Sequence, residues 1–292
     1  MSKKSAPYAM ILPYFLLYVA FGLFPILFSL GVSFTSWDGI GEMTFVGLKN
    51  YVRVFTQDKY FYKSLWNTLI LLGISTPIQI ALGLLTATFL KDFFKKFQNG
   101  LQLINFLPYI TTPVAVGIIF QLMFDWKSGV INAFLNLFGA ESVYWLGHAW
   151  TARAVVIFML IWKNYGYKMI MFLSGLSTIP DELYEAAKID GCNAMQTLVK
   201  VIVPMLSPAI TSIALFQFMW SSNDFMGPLL YVNTPAKYPL ALFVKLSMDA
   251  DSGFSWNRVL ALSLISIIPS LIVFFCAQDK FVDGISAGGV KG

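Results

Sequence analysis

Five stretches of this 292-residue chain run for 20 residues or more without one Asp, Glu, Lys or Arg: 8–34, 64–90, 97–124, 201–223 and 259–278. A helix needs about 20 apolar residues to cross the hydrocarbon core of a bilayer, so each stretch is long enough to span. A sixth segment, 154–179, is also apolar but is interrupted by Lys163 and Lys168, and it reads as a span with unusual content. The spans are expected to be helices, because lipid offers no hydrogen-bond partner to a free backbone group. The short alternating segments of a membrane barrel are absent from the sequence.

Composition supports lipid as the solvent. Hydrophobic residues make up 57% and charged residues 12%, against about 25% charged in an ordinary soluble domain. The first apolar run is too long for a signal-peptide core, lacks a small-residue cleavage site and follows Ser2-Lys3-Lys4. It reads as an uncleaved first helix with a cytoplasmic N-terminus. Six spans then return the C-terminus to the same side. Lys and Arg divide evenly between the two sides, so the orientation rests on Lys91, Lys95 and Lys96, crowded into one short loop. The net charge of +5 follows from this membrane bias and carries no nucleic-acid patch. Cys192 and Cys276 fall on one side and make neither a disulfide nor, without a neighbouring His, a zinc site. His148 stands alone in an outer loop with no assigned role. Prolines 13, 25, 77, 108, 113, 208, 228 and 269 fall within or beside spans. They either kink helices around a cavity or are simply tolerated there.

The chain divides at this level into 1–63 (tail, first span and outer loop), a core over 64–279 that includes a polar insert at 180–204, and a tail at 280–292. The insert is the departure from pattern. Ser177 or Thr178 can cap a helix, Pro180 fits its first turn, and Asp181 and Glu182 favour its positive end. Gly191 stops that helix and Asn193 can cap a second one. Met195, Leu198, Val199 and Ile202 then mark one apolar face, and Pro204 and Pro208 bend the chain into the fifth span. Paired alanines on a short exposed helix let another surface approach closely. The insert reads as a docking element rather than a plain connection.

Glu185-Ala186-Ala187, three residues, Gly191, nine residues and Val201-Ile202-Val203-Pro204 resemble the EAA loop of binding-protein-dependent ABC importer permeases. Val stands at 201 and 203 where that family favours Ile and Leu. The resemblance implies an all-α, polytopic membrane protein with six transmembrane helices and the type I ABC importer permease fold. It implies that Glu185, Ala186, Ala187, Asp190, Gly191 and Pro204 belong to a coupling helix seated in a cleft of an ATPase subunit. Phe45-Val46-Gly47-Leu48-Lys49-Asn50-Tyr51, Phe106-Leu107-Pro108-Tyr109 and Trp162-Lys163 are similar to carbohydrate permeases of the MalF type. Trp220-Ser221-Ser222-Asn223-Asp224-Phe225 and the tail Ala287-Gly288-Gly289-Val290-Lys291-Gly292 are similar to the MalG type. The chain mixes both partners and is assigned to neither. The resemblance implies that Gly288, Gly289 and Lys291 reach the ATPase subunits.

No G-x-x-x-x-G-K-[ST] sequence occurs, so no phosphate-cradling loop is present. The chain is therefore expected to bind no cofactor and to be no enzyme, with ATP and Mg on partner subunits. The implied partners are two ATPase subunits, an extracytoplasmic solute-binding protein, membrane lipid and a second permease subunit, either a different chain or a second copy. The implied location is the plasma membrane, multi-pass.

Lys163 and Asp224 are charges in or beside spans, where mid-bilayer insertion costs about 2.5–3.5 kcal/mol. They either line the translocation path, as a pair, or lie near span ends and snorkel to the interface; Lys168 reads as a snorkelling residue. A sugar path needs hydroxyl-matching polar groups and flat apolar faces. Lys163, Asn164, Tyr165, Gln217, Trp220, Asn223 and Asp224 are the candidates, with Asn67, Gln79, Asn105, Tyr109 and Gln121 as further in-span polar groups. Asn and Gln also glue helices together, and that reading stays open for each one singly. The expected function is a permease subunit of an ATP-driven importer for sugars or oligosaccharides, working by alternating access. The alternatives are an importer of amino acids or phosphate and, against the lack of any catalytic cluster, an integral membrane enzyme.

Overall fold

The structure is a computed structural model and describes residues 6–37, 39–93, 97–232, 235–248 and 256–289. Two compact units partition the chain: residues 1–62 with 243–268, and residues 63–242 with 269–292.

The first unit begins with α1 (Ala6–Tyr18) and α2 (Phe24–Ser33), joined through one wide π turn, Val19–Leu23. Together they make a span whose side chains are almost all exposed, as a lipid-facing rod requires. A two-residue hairpin follows, β1 (Thr35–Ser36) antiparallel to β2 (Thr44–Phe45), and then α3 (Lys49–Gln57). Buried Asn50 ties these pieces together. Its amide nitrogen donates to the carbonyls of Ser33 and Thr35, both at 2.8 Å, and its oxygen accepts from Asn257 at 2.9 Å. Asp58 accepts from the amides of Tyr60 and Phe61 and pairs with Arg258 at 2.8 Å. The Lys49-Asn50-Tyr51 portion of the Phe45–Tyr51 stretch is thus a lock, with the Tyr51 hydroxyl 2.7 Å from the Ser33 hydroxyl.

The second unit is organised on two long helices, α4 (Phe61–Phe93, all but its first two residues) and α8 (Ala149–Leu176). Arg153 donates to Asn67 at 2.8 Å, and Lys91 donates to the Leu176 carbonyl at 3.1 Å. The two helices therefore run side by side in the same direction. Between those points Gly83 lies against Lys168: an added Cβ would come within 2.9 Å of the Lys168 Cβ. One apolar cluster around Leu71, Val116, Phe120, Phe124, Val155, Val156 and Met159 fills the end near the start of α8. Another around Leu84, Ala87, Met169, Phe172, Leu176, Leu198 and Ile202 fills the far end.

The third and fifth apolar runs are not straight rods. The third is broken into α5 (Gln98–Ile110) and α6 (Pro113–Met123), which meet at 92°. Pro113 disfavours helical backbone at the residue before it. Thr112 accordingly takes ψ 140° and caps α6, its hydroxyl accepting from the Ala115 amide at 3.3 Å. In the fifth, the insert helices ending at Met205 turn through 73° into α12 (Ser207–Ser222). Among the described residues, four helices are long and apolar enough to cross a membrane, and counting each bent pair as one span gives six. A short α14 (Leu240–Leu246) precedes the last, α15 (Trp256–Gly289), which continues well past 278, so Gly288 and Gly289 are its final residues; Lys291 lies outside the described residues.

Candidate functional site

The α5–α6 break and the junction that follows α12 converge on one cleft of about 620 Å³ in the second unit. Thr111, Thr112 and Pro113 reach it from the α5–α6 break. Trp220, Ser221, Asp224 and Gly227 reach it from the end of α12 and the start of α13 (Met226–Tyr231). Lys163 and Asn164 come from the middle of α8. Irregular backbone at membrane depth is stable only where protein or a wet cavity satisfies it, so the breaks and the polar side chains belong together. Asp224 turns back to accept from the Gly227 amide at 3.1 Å, which holds the start of α13.

Of the seven expected path residues, Lys163, Asn164, Gln217, Trp220 and Asp224 line this cleft. Tyr165 does not; its hydroxyl donates to the Asn105 side chain and fastens α5 to α8. Beside it Gly166 lets the two helices touch, since a Cβ there would overlap the Asn105 carbonyl oxygen. Asn223 does not line it either, being exposed and bonded to its own helix at Met219. Lys163 sits mid-helix rather than near a span end, and among the described residues no ion pair joins it to Asp224. Thr111, Thr112 and Ser221 also line the cleft, outside the expected set; the Thr-Thr-Pro triplet signals the first two, since proline marks a helix boundary. Tyr109 stacks on Tyr167 at 4.8 Å, and Tyr167 meets Trp220 at 6.0 Å, so one wall is aromatic.

Lys168 departs from its reading as a snorkelling residue. It is buried to 1% exposure and donates to the Gln217 side-chain oxygen at 2.6 Å and to the Asn164 carbonyl at 3.3 Å. The Gln217 amide in turn donates to the Ser221 hydroxyl at 2.5 Å. The two Lys168 bonds turn the ammonium inward, toward α12 and its own helix, and not toward an interface. Gln79, also fully buried, has neither side-chain atom hydrogen-bonded to protein.

A second cavity, about 370 Å³, lies toward the start of α8 and is lined by Asn67, Asp125, Trp126, Tyr144, Arg153 and Lys237 among others. Asn67 here is structural: it donates to the carbonyls of Ala236 and Tyr238 and accepts from Arg153. The Ser128 amide and hydroxyl hold the Asp125 carboxyl below its usual range.

At the other end, the polar insert forms α9 (Asp181–Ile189), α10 (Ala194–Thr197), a π turn (Leu198–Ile202) and α11 (Val203–Met205). Pro180 itself occupies the cap position of α9. Ser177 and Thr178 do not cap it; their hydroxyls donate back to the Ser174 and Gly175 carbonyls of the preceding helix. Gly191 ends α9 with φ +77°, the left-handed region. The Cys192 amide reaches the Ala187 carbonyl and the Gly191 amide the Lys188 carbonyl, which completes a Schellman motif. Asn193 caps α10, and Gln196 reciprocates to form a capping box, both bonds at 2.9 Å.

Of the paired alanines only Ala186 is exposed; Ala187 is buried under α9. The expected single apolar face is likewise divided. Leu198 and Ile202 are buried in the core, while Met195 and Val199 are exposed. Glu185, Asp190, Gly191 and Pro204 are all exposed. Lys91 fastens the insert to α4 by donating to Tyr184 at 3.1 Å, with its ammonium 4.3 Å from the centre of that ring. A groove of about 730 Å³ results, with Lys91, Tyr184, Glu185, Lys188 and Met195 in its lining. Doubly capped and pinned, the insert can act as a rigid knob.

Residues 79–282 match the family described as binding-protein-dependent transport system inner membrane component. The arabinooligosaccharides transport system permease protein AraP of Bacillus subtilis (strain 168) is 31% identical over 280 residues, covering 93% of this chain and 87% of that one. The lactose transport system permease protein LacF of Rhizobium radiobacter is 33% identical over 276 residues, covering 89% and 90%. In fold, the chain is similar to a chain in the crystal structure of a bacterial ABC transporter involved in the import of the acidic polysaccharide alginate. The TM-score is 0.78 at 22% identity, with 96% of each chain covered. The broken spans, the mid-span cleft and the capped insert thus occur in a multi-pass membrane protein that belongs to the family of binding-protein-dependent transport system inner membrane components.

Proposed function

We propose that this chain is a transmembrane subunit of an ATP-driven importer for sugars or oligosaccharides, with the mid-span cleft as its share of the solute path. The carrying observation is the convergence of the α5–α6 break and the α12–α13 junction with Lys163, Asn164, Gln217, Trp220 and Asp224 on that cleft. An aromatic wall offers a face to a sugar ring, and the amides, hydroxyls and charges match its hydroxyl groups. The sugar class is supported by AraP and LacF, whose names specify arabinooligosaccharides and lactose.

In this reading the insert lies on the cytoplasmic side, with both termini, in the plasma membrane. Glu185, Ala186, Asp190, Gly191 and Pro204 form the surface that meets an ATPase subunit, with Ala187 supporting it from beneath. Gly288, Gly289 and Lys291 add a second contact. ATP and Mg belong to that partner. A solute-binding protein delivers substrate from the other side; one solved relative in fold was crystallised with an alginate pentasaccharide-bound periplasmic protein. A second permease subunit, different from this one, completes the cavity. ATP-driven closure pushes on α9, and because Lys91 bonds both Tyr184 of α9 and the Leu176 carbonyl of α8, the push reaches a helix that walls the cleft. Deleting the gene and measuring uptake of labelled arabinooligosaccharides, lactose, amino acids and phosphate tests this. Loss confined to a sugar supports the reading, and loss of amino acid or phosphate uptake alone refutes it.

A further inference from the structure

Between α6 and α8 the chain forms α7 (Val130–Leu137), an amphipathic helix that none of the functions above uses. Its polar face is fixed inward by Asn132, which is 2% exposed. The Asn132 amide donates to the carbonyls of Trp126 at 3.1 Å and Val143 at 2.9 Å, and its oxygen accepts from the Val143 amide at 3.1 Å and the Trp145 indole at 2.9 Å. This clamp dictates what the opposite face shows. Val130, Phe134, Leu137 and Phe138 recur at helical spacing and are 64%, 59%, 81% and 76% exposed. No Asp, Glu, Lys or Arg occurs from Ser128 to Ala140.

We infer that α7 is an interfacial helix whose apolar face is buried in the lipid bilayer, at the leaflet where α6 ends and α8 begins. Three observations select lipid over a protein partner. The helix joins the ends of two apolar segments, α6 and α8, which sets it beside the membrane–water boundary. Trp126, Tyr144 and Trp150, all substantially exposed, flank it, and such aromatics concentrate at the membrane–water boundary. The face is wholly uncharged, with Lys127 and Glu141 only beyond its two ends, so burying it in lipid strands no charge. Trp126 and Tyr144 also line the 370 Å³ cavity, so the depth of α7 in the leaflet sets the position of one cavity wall.

The test places a bimane label on Leu137→Cys, and in parallel on Glu141→Cys, in a chain carrying Cys192→Ala and Cys276→Ala. The complex is held in nanodiscs of phosphatidylcholine with or without bromine on the acyl chains. Strong quenching by brominated lipid at position 137, with little at 141, is the expected result. Equal, weak quenching at both positions overturns the inference, whether iodide then quenches 137 (an open surface) or does not (a protein partner). Should the cysteine-free chain fail to fold, benzoylphenylalanine replacing Phe134 in the unmodified background gives the same decision. Photo-crosslinking to lipid supports the inference, and crosslinking to another protein overturns it.

Discussion

The buried cluster of Lys168, Gln217 and Ser221 makes a prediction with an unusual sign. Lys168 carries a charge to 1% exposure, and its one short bond is the 2.6 Å contact to Gln217. Gln217→Leu removes that acceptor and leaves the ammonium with only the 3.3 Å contact to Asn164. Losing a hydrogen bond to a charged group costs about 1.5–3 kcal/mol, and stranding a buried charge costs about 3–5 kcal/mol, so about 3 kcal/mol is expected. Lys168→Met instead removes the charge and orphans only the neutral Gln217 oxygen. The orphan costs about 1–3 kcal/mol. Relief of the buried charge returns up to about 2.5–3.5 kcal/mol, so the variant should be as stable as the parent or slightly more stable.

The double variant, Lys168→Met with Gln217→Leu, removes both groups, and its stability should lie near that of the parent. Adding a second mutation is thus expected to rescue the first, with a coupling of about 2–3 kcal/mol. Fluorescence-detected gel filtration after heating the detergent-solubilised complex measures this. At roughly 2–4 °C per kcal/mol for a chain of this size, Gln217→Leu should lower the midpoint by roughly 6–12 °C. A well-tolerated Gln217→Leu, or a double variant worse than either single one, would refute the reasoning. Transport adds a second reading. Lys168→Met frees the Gln217 amide to rotate, so the half-saturation for the transported sugar should rise while the protein remains stable.

Other perturbations follow from single contacts. Arg258→Ala leaves the Asp58 carboxylate, 4% exposed, without its cation. About 2–3 kcal/mol should be lost, less than for a fully buried pair because Arg258 is 29% exposed; Arg258→Met with Asp58→Asn should recover most of it in the same heating assay. Gly166→Ala forces α5 off α8 at Asn105, so the protein should reach the membrane in much lower amount, whereas Gly73→Ala, with open space around it, should be neutral. Gly191→Ala strains a φ of +77° by about 1–2 kcal/mol, and Glu185→Lys reverses an exposed charge. Under the proposed coupling both should lower co-purification of the ATPase while the permease itself stays monodisperse.

The sequence announced the spans because a bilayer tolerates few charges, and uncharged runs are visible without any alignment. The caps of the insert were partly legible for a similar reason: glycine and asparagine have local, intrinsic roles. Gly191 and Asn193 took those roles, while Ser177 and Thr178 lost theirs to the carbonyls of the preceding helix. Burial was less legible. Ala186 and Ala187 are adjacent and identical, yet one faces out and the other in, because a helix turns about 100° per residue. Nothing in the letters fixes which of the two meets the core. Lys168 was misread for a related reason. Snorkelling depends on a free path to the interface, and here the ammonium turns inward to Gln217 on a helix distant in sequence.

The position of the cleft follows from one physical constraint. A break in a membrane helix exposes backbone groups that lipid cannot satisfy, so two breaks at one depth are stable only around a shared polar space. Pro113 forces the first break, and the second falls at Asn223 and Asp224, after the last turn of α12. Polar side chains at that depth carry the same penalty and the same remedy, which is why Lys163 and Asn164 appear opposite the breaks. Replacing the proline tests the link. Pro113→Ala lifts the restriction on Thr112 and should let helical backbone run from α5 into α6 without the 92° bend. Val116 and Phe120 would leave the apolar cluster they now fill, and solute uptake should fall with them. Unchanged uptake and stability would mean that the break is held by packing and not by the proline, and the cleft would then need another cause.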